Sequence, residues 1–312
     1  MKAKAIRTKA KVHVRAIARL SVYLLTFAFF LPAGCGRPKV SKPTPGWYGP
    51  TQSISEVVTR LNANNERLRT LYLRHEFGAE LVEEPGRKPT KISGVGVIMY
   101  RAPDELIMTG SEVGIGKIFE IGCNPTDYWL AVPQSRVDTV WYGQMRHLGK
   151  PCVKEIPIRP DLLMEVLGVF EIDPNLARFP APVMRFNSEQ DAYVFTWVMP
   201  QVDRFIAVKE VWYDRQTMRP RRVMLFGTEG RVLLSAELSE HRPVEVPGAP
   251  PGQRPTVPGK YDLFFPDTQS RMAIRIEDAY LQRDDRPGTI PFRRPNPDNF
   301  AKAFQLDEAC DD

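Results

Sequence analysis

What this chain of 312 residues lacks is the equipment of catalysis. It has no Gly-x-Ser-x-Gly elbow, no phosphate-cradling Gly-x-x-x-x-Gly-Lys loop and no His-Glu-x-x-His pair. Histidine and cysteine are scarce, four of each. His13, His75, His147 and His241 form no His-x-x-x-His spacing, and no Cys-x-x-Cys occurs, which argues against a zinc site. Gly94-Val95-Gly96 and Gly114-Ile115-Gly116 lack the third glycine and the strand–helix context of a dinucleotide loop. His75-Glu76 is a dyad without a nucleophile, and the Asp pairs at 284–285 and 311–312 sit in polar stretches. No enzyme and no cofactor are expected.

Acidic residues are missing from the first 34 positions, and that absence marks a leader. Lys2, Lys4, Arg7, Lys9, Lys11, Arg15 and Arg19 precede an apolar segment from Leu20 to Leu31, broken by Ser21, Tyr23 and Thr26. A spanning helix needs about 20 apolar residues. A basic start, a short apolar core and small residues before a cysteine read as a secretory signal. Leu31, Ala33, Gly34 and Cys35 resemble the lipobox of bacterial lipoproteins, with Pro32 standing where that family usually has Leu, Val or a small residue. That resemblance implies a mature chain that begins at an acylated Cys35 and is held on the membrane by its acyl chains. Gly36 stands where lipoproteins retained in the inner membrane usually carry Asp, so the outer membrane, facing the periplasm, is the expected destination.

The leader holds seven of the 43 basic residues and none of the 37 acidic ones, which leaves the rest with 36 against 37. The high isoelectric point belongs to the leader, and nucleic acid loses its support as a partner. Of the four cysteines, lipidation of Cys35 leaves three in an oxidising compartment, so one bridge and one free thiol are expected, with Cys123–Cys152 the favoured pair.

Along the chain, residues 35–52 are Pro-rich and read as a tether. Ser53 and Glu56 make a capping box, and Ile54, Val57, Val58 and Leu61 recur at helical period, predicting a helix over 54–70. Extended stretches follow at 71–81, 92–100, 106–109, 117–121, 128–132 and 137–142, with turns at Pro85-Gly86 and Asn124-Pro125. A second helix is predicted over 160–168. Further strands are predicted at 193–199, 205–213, 222–226, 231–238, 261–265 and 272–280, with a Pro-rich insert at 242–259 and a polar tail at 286–312. The reading is mainly β, one antiparallel domain over 53–285.

The stretch Gly94-Val95-Gly96-Val97-Ile98-Met99-Tyr100-Arg101-Ala102-Pro103, the run Phe119-Glu120-Ile121, and Asp127-Tyr128-Trp129-Leu130-Ala131-Val132-Pro133 resemble the LolA/LolB lipoprotein-carrier family of outer-membrane lipoprotein-sorting proteins. The resemblance implies a curved antiparallel half-barrel with two or three helices as a lid, an apolar hollow for acyl chains, and a lipid or acylated protein as partner. It also implies that Arg101, the arginine before the proline, bonds lid backbone. Val97, Met99, Leu106, Met108, Phe119 and Ile121 are the expected lining. The competing reading is a non-catalytic scaffold lipoprotein whose sheet covers a filled core and meets a periplasmic protein.

Overall fold

In the computed structural model, residues 52–82, 88–134, 137–154, 156, 158–281 and 292–310 are described. The chain divides into two units, Met1–Trp47 and Tyr48–Asp312. The signal segment, Cys35, nearly all of the tether and the turn at 85–86 lie outside the described residues.

Helix α1 (Ile54–Asn65) starts as the sequence asks: the Ser53 hydroxyl accepts from the Glu56 amide, and the Ser53 amide donates to the Glu56 carboxylate at 2.8 Å. It ends five residues before the predicted limit. Asn64 and Asn65 are poor helix formers, and both are used elsewhere: Asn64 Oδ1 accepts from the Thr256 amide at 2.8 Å, and Asn65 donates to the Phe170 carbonyl at 2.7 Å.

The strands are β1 (Thr70–Leu81), β2 (Thr90–Arg101), β3 (Glu105–Glu112), β4 (Gly116–Cys123), β5 (Asp127–Val132), β6 (Thr139–Gln144), β7 (Ala181–Asn187), β8 (Ala192–Pro200), β9 (Phe205–Asp214), β10 (Pro220–Phe226), β11 (Val232–Ser239), β12 (Arg242–Pro243), β13 (Thr256–Val257), β14 (Lys260–Phe265), β15 (Ser270–Leu281) and β16 (Lys302–Gln305). All but β12 and β13 form one sheet of fourteen strands, in the order β16-β6-β5-β4-β3-β2-β1-β15-β14-β11-β10-β9-β8-β7. β12 and β13 pair with each other inside the Pro-rich insert. Two meanders thus join edge to edge where β1 meets β15. Pairing is antiparallel throughout except that β16 runs parallel to β6.

This topology decides what fills the interior. β6 and β7 lie near opposite edges of the sheet, so the segment between them must cross its whole width. It carries helix α2 (Pro160–Val166), opened by Pro160 and with Asp161 in the first turn. α2 is only seven residues, about 10 Å long. It nevertheless touches β4, β5 and β10. In a flat sheet β4 and β10 would stand seven strand spacings apart, about 33 Å. The sheet must therefore curl around α2, and the two helices sit on its inner face in one continuous apolar core.

The C-terminal stretch departs from the expected polar tail. β16 extends the sheet, and Phe292 packs on the outer face against Met99, Ile107 and Trp129. Leu306 is buried, and Asp307 accepts from the Gln144 amide at 2.8 Å and lies 3.0 Å from His147 Nδ1. Burial works to raise the Asp307 carboxyl's pKa, but hydrogen bonds from Gln144 and His147 outweigh it and hold it below the usual range. The disulfide is Cys152–Cys310, not Cys123–Cys152. Cys123 is wholly buried at the inner end of β4, where burial pushes its thiol up to about 12. Composition marked 286–312 as polar because its anchors are few: Phe292, Phe304, Leu306 and one cysteine.

Candidate functional site

Cross-strand register places the seven residues expected to line a pocket on two different faces. Ile98 pairs with Met108, Met108 with Ile121, and Tyr100 with Leu106. Leu106, Met108, Phe119 and Ile121 are therefore inward, and all four belong to the main core. Val97, Met99 and Arg101 point to the other side. Met99 is in the outer cluster with Trp129 and Phe292, and Val97 packs against it. The reading of β2 was off by one residue. Its apolar stripe faces outward, where Phe292 covers Met99, Val97 packs at the edge and Val95 stays half exposed, while Gly94 and Gly96 face inward. There a Cβ on Gly96 would sit 1.8 Å from the Thr109 carbonyl oxygen and 3.0 Å from His75 Nε2.

Arg101 does not reach a lid either. Its guanidinium is paired with Glu105 and lies 5.0 Å from the Phe292 ring centroid, on the outer face. Just beyond α1, the Arg69 guanidinium donates to both Glu171 oxygens, at 2.9 and 3.2 Å.

That ion pair belongs to a row of latches fastening the α2 segment in the interior. The Asn62 side chain makes a two-bond clasp with Ile172, donating to its carbonyl at 2.8 Å and accepting from its amide at 2.9 Å. Asn65 donates to the Phe170 carbonyl. From the opposite half of the sheet, Lys209 donates to Glu165 at 2.6 Å, with its ammonium 3.6 Å from the Phe170 ring centroid and 4.5 Å from that of Trp197. Polar latches of this kind were not legible in advance, because Asn62 and Asn65 look like ordinary polar positions on a helix. The one signal was their spacing, three residues apart on the face that also carries Val58 and Leu61.

Two cavities border this arrangement, and a third depression lies on the other face of the sheet. Beneath α2 a void of about 10 Å³ remains, lined by Ile98, Leu106, Met108, Leu163, Val166, Leu167, Tyr261, Leu263 and Ile274. At the mouth, between the end of α1 and residues 169–171, lies a cavity of about 320 Å³ lined by Leu68, Arg69, Tyr100, Ala102, Pro103 and Phe170 among others. Burial there pushes the Tyr100 phenol up to about 12. A depression of about 820 Å³ is a trough on the outer face floored by Gly78, Ser93 and Ala273. Its carboxylates are already engaged: Glu80 with Lys91 at 2.7 Å, Asp262 with Lys260 at 2.6 Å and Glu237 with Arg222 at 2.5 Å, while the Arg271 guanidinium lies 5.2 Å from the Phe264 ring centroid.

Inside the curl, several polar atoms are buried without partners. Among the described residues, the hydroxyls of Tyr213 and Tyr261 have no hydrogen-bond partner, while the His75 ring lies against the backbone of Glu76 and Thr109. An orphaned buried polar group costs about 1–3 kcal/mol. Desolvation raises both tyrosine pKa values and lowers that of His75 to about 4, so all three are neutral at pH 7. Among the described residues, no three His, Cys, Asp or Glu side chains come together to hold a metal, and no helix is long and apolar enough to cross a membrane.

No protein-family model matches the chain, and no curated protein does. Solved structures similar to it include an outer membrane lipoprotein-sorting protein domain from Vibrio parahaemolyticus, at 10% identity and TM-score 0.47, covering 75% of this chain and 94% of that one. A LolA superfamily protein from Nitrosomonas europaea matches at 12% identity and TM-score 0.44, covering 74% of this chain and 95% of that one. The motifs of β2 to β5 resemble the same group. Likeness at these scores says nothing of ligand or role.

Proposed function

We propose that the chain is a membrane-anchored periplasmic lipoprotein, non-catalytic, that binds lipid or the acyl chains of lipoproteins inside its curled sheet and serves lipoprotein sorting to the outer membrane. One observation carries the reading: the occupant of the sheet's interior is fastened to α1 by discrete polar latches, beside an open cavity of about 320 Å³. These bonds also satisfy backbone groups of Phe170 and Ile172. Side-chain amide clasps on backbone, and an ion pair exposed at the mouth, are interactions water can replace, so releasing them leaves apolar surface that an acyl chain can cover. Each methylene buried is worth about 0.8 kcal/mol. The α2 segment is on this reading a lid, closed in the empty protein.

The scaffold reading has its own observation, the void of about 10 Å³ under α2, which has no room for a chain while the lid is shut. Loosening the latch separates the two. In the carrier, Asn62→Ala with Asn65→Ala raises the fraction of open protein, and apparent affinity rises with that fraction. Uptake of diphenylhexatriene, a hydrocarbon fluorophore, is expected to tighten about tenfold while the melting temperature drops by a few degrees; tenfold corresponds to about 1.4 kcal/mol of lost latch. A scaffold gives lower melting and no uptake by either protein.

Anchoring has a separate test. The leader and lipobox support acylation of Cys35. Cys35→Ser is expected to leave the protein unprocessed or free in the periplasmic fraction, and its normal retention in the outer-membrane fraction refutes the anchor.

A further inference from the structure

The buried tyrosines say what kind of lipid the interior would take. Tyr213 and Tyr261 each keep about 1% of their surface exposed, and neither hydroxyl has a partner. Tyr213 pairs with Pro220, and Tyr261 pairs with Leu238 and Ile274. Pro220 and Leu238 both lie against Gly168, just past the end of α2, and Tyr261 borders the void beneath α2 together with Leu163, Val166 and Leu167. His75 is near: it pairs with Ile276 on β15, the strand that carries Ile274.

Water does not explain the Tyr261 hydroxyl. A buried water needs two to four polar partners, and the void beside it offers apolar side chains from every other lining residue. Packing does not explain the hydroxyls either, because phenylalanine fills the same space without leaving a polar atom unpaired. A bare hydrocarbon entering in place of α2 would leave them orphaned again. A ligand with carbonyl oxygens close to the start of its chains would not.

We propose that the space now taken by α2 is built for an acyl lipid whose ester or amide linkages enter the interior with the chains, and that Tyr213 and Tyr261 donate hydrogen bonds to those linkage oxygens. This rests on the carrier reading above and names its ligand class. Neutral His75, with one donor and one acceptor nitrogen, adds a third polar point.

The test is the double variant Tyr213→Phe/Tyr261→Phe in the otherwise intact, disulfide-bonded protein, with three measurements. Ligand-free melting is expected to stay equal or rise, since two orphaned hydroxyls are removed. Affinity for a fluorescent diacylglycerol is expected to fall about tenfold. Affinity for diphenylhexatriene, which has no oxygen, is expected to stay unchanged. A fall in melting temperature would show that the hydroxyls have partners in the closed protein, and equal effects on the two probes would show that they do not read the linkage; either result overturns the inference while leaving the carrier reading standing. If the wild-type protein takes up neither probe, the carrier reading fails and this inference with it.

Discussion

Breaking the Cys152–Cys310 bond is expected to lower the melting temperature by roughly 10 °C. The bridge joins positions 158 residues apart. The chain-entropy model assigns a loop of that length about 5 kcal/mol, and measured disulfides more often give 2–4. In a domain of this size each kcal/mol shifts melting by about 2–4 °C. The structure shows what is lost besides entropy. The bridge ties the C-terminal stretch to the loop after β6, and β16 covers that strand's outer edge with four residues in parallel register. Phe304 stacks on Trp141 and Asp307 holds the Gln144 amide. Cys310→Ser should free this edge as well as lower the melting point, so proteolysis near the C-terminus should speed up. The Cys152→Ser variant should behave alike, because both remove the same bond. Cys123→Ser should not, since Cys123 is the one free cysteine among the described residues. A shift under about 2 °C for both bridge variants would mean that β16 and the Asp307 contacts hold the stretch without the bond.

The parts of the fold that the sequence announced are those governed by local rules. Ser53 and Glu56 at capping-box spacing fixed the start of α1, and alternating stripes placed the strands from β1 to β6, with β1, β2 and β5 within two residues at each end and β3 cut three residues short at its far end. β7 was missed: its stretch Ala181-Pro182-Val183-Met184-Arg185-Phe186-Asn187 carries a proline and an arginine and reads as loop, which an edge strand tolerates because one side of its ladder is free. β16 was missed for a related reason. Lys302-Ala303-Phe304-Gln305 is exposed throughout and owes its place to a parallel partner and a disulfide 158 residues away in sequence. The candidate site was legible only in halves. On β3 and β4 the alternation placed Leu106, Met108, Phe119 and Ile121 on one face, and that face is the core side. On β2 both faces are apolar in places, so parity alone could not say which was inside, and the deciding fact, Phe292 lying over Met99, is a long-range contact. The latches at Asn62, Asn65 and Arg69 were invisible for the same reason: each is an ordinary polar residue until the chain returns 105, 102 or more positions later to meet it.

The assignment of faces makes the sharpest prediction, a pair of substitutions expected to behave oppositely. Met108 is 2% exposed, inward, and borders the void beneath α2. Met108→Glu puts a carboxylate among methylenes with no counter-charge in reach. Such a group either stays ionised at prohibitive cost or takes up a proton, and in either form the penalty runs to several kcal/mol. Domains of this kind are stable by about 5–15 kcal/mol in all, so Met108→Glu is expected to abolish cooperative melting or depress it by more than 15 °C. Val97, two strand positions from Met99 on the outer face, is only partly buried and packs against the edge of the Phe292 cluster. There a glutamate can turn its carboxylate into water, and Val97→Glu is expected to cost only a few degrees. The original expectation put both residues in one pocket, where the same charge would do similar harm at both. Circular-dichroism melts of the two variants decide it. A Val97→Glu protein that fails to fold alongside a folded Met108→Glu protein would reverse the faces of β2 and β3, and with them the claim that α2 lies over Met108 in the closed state.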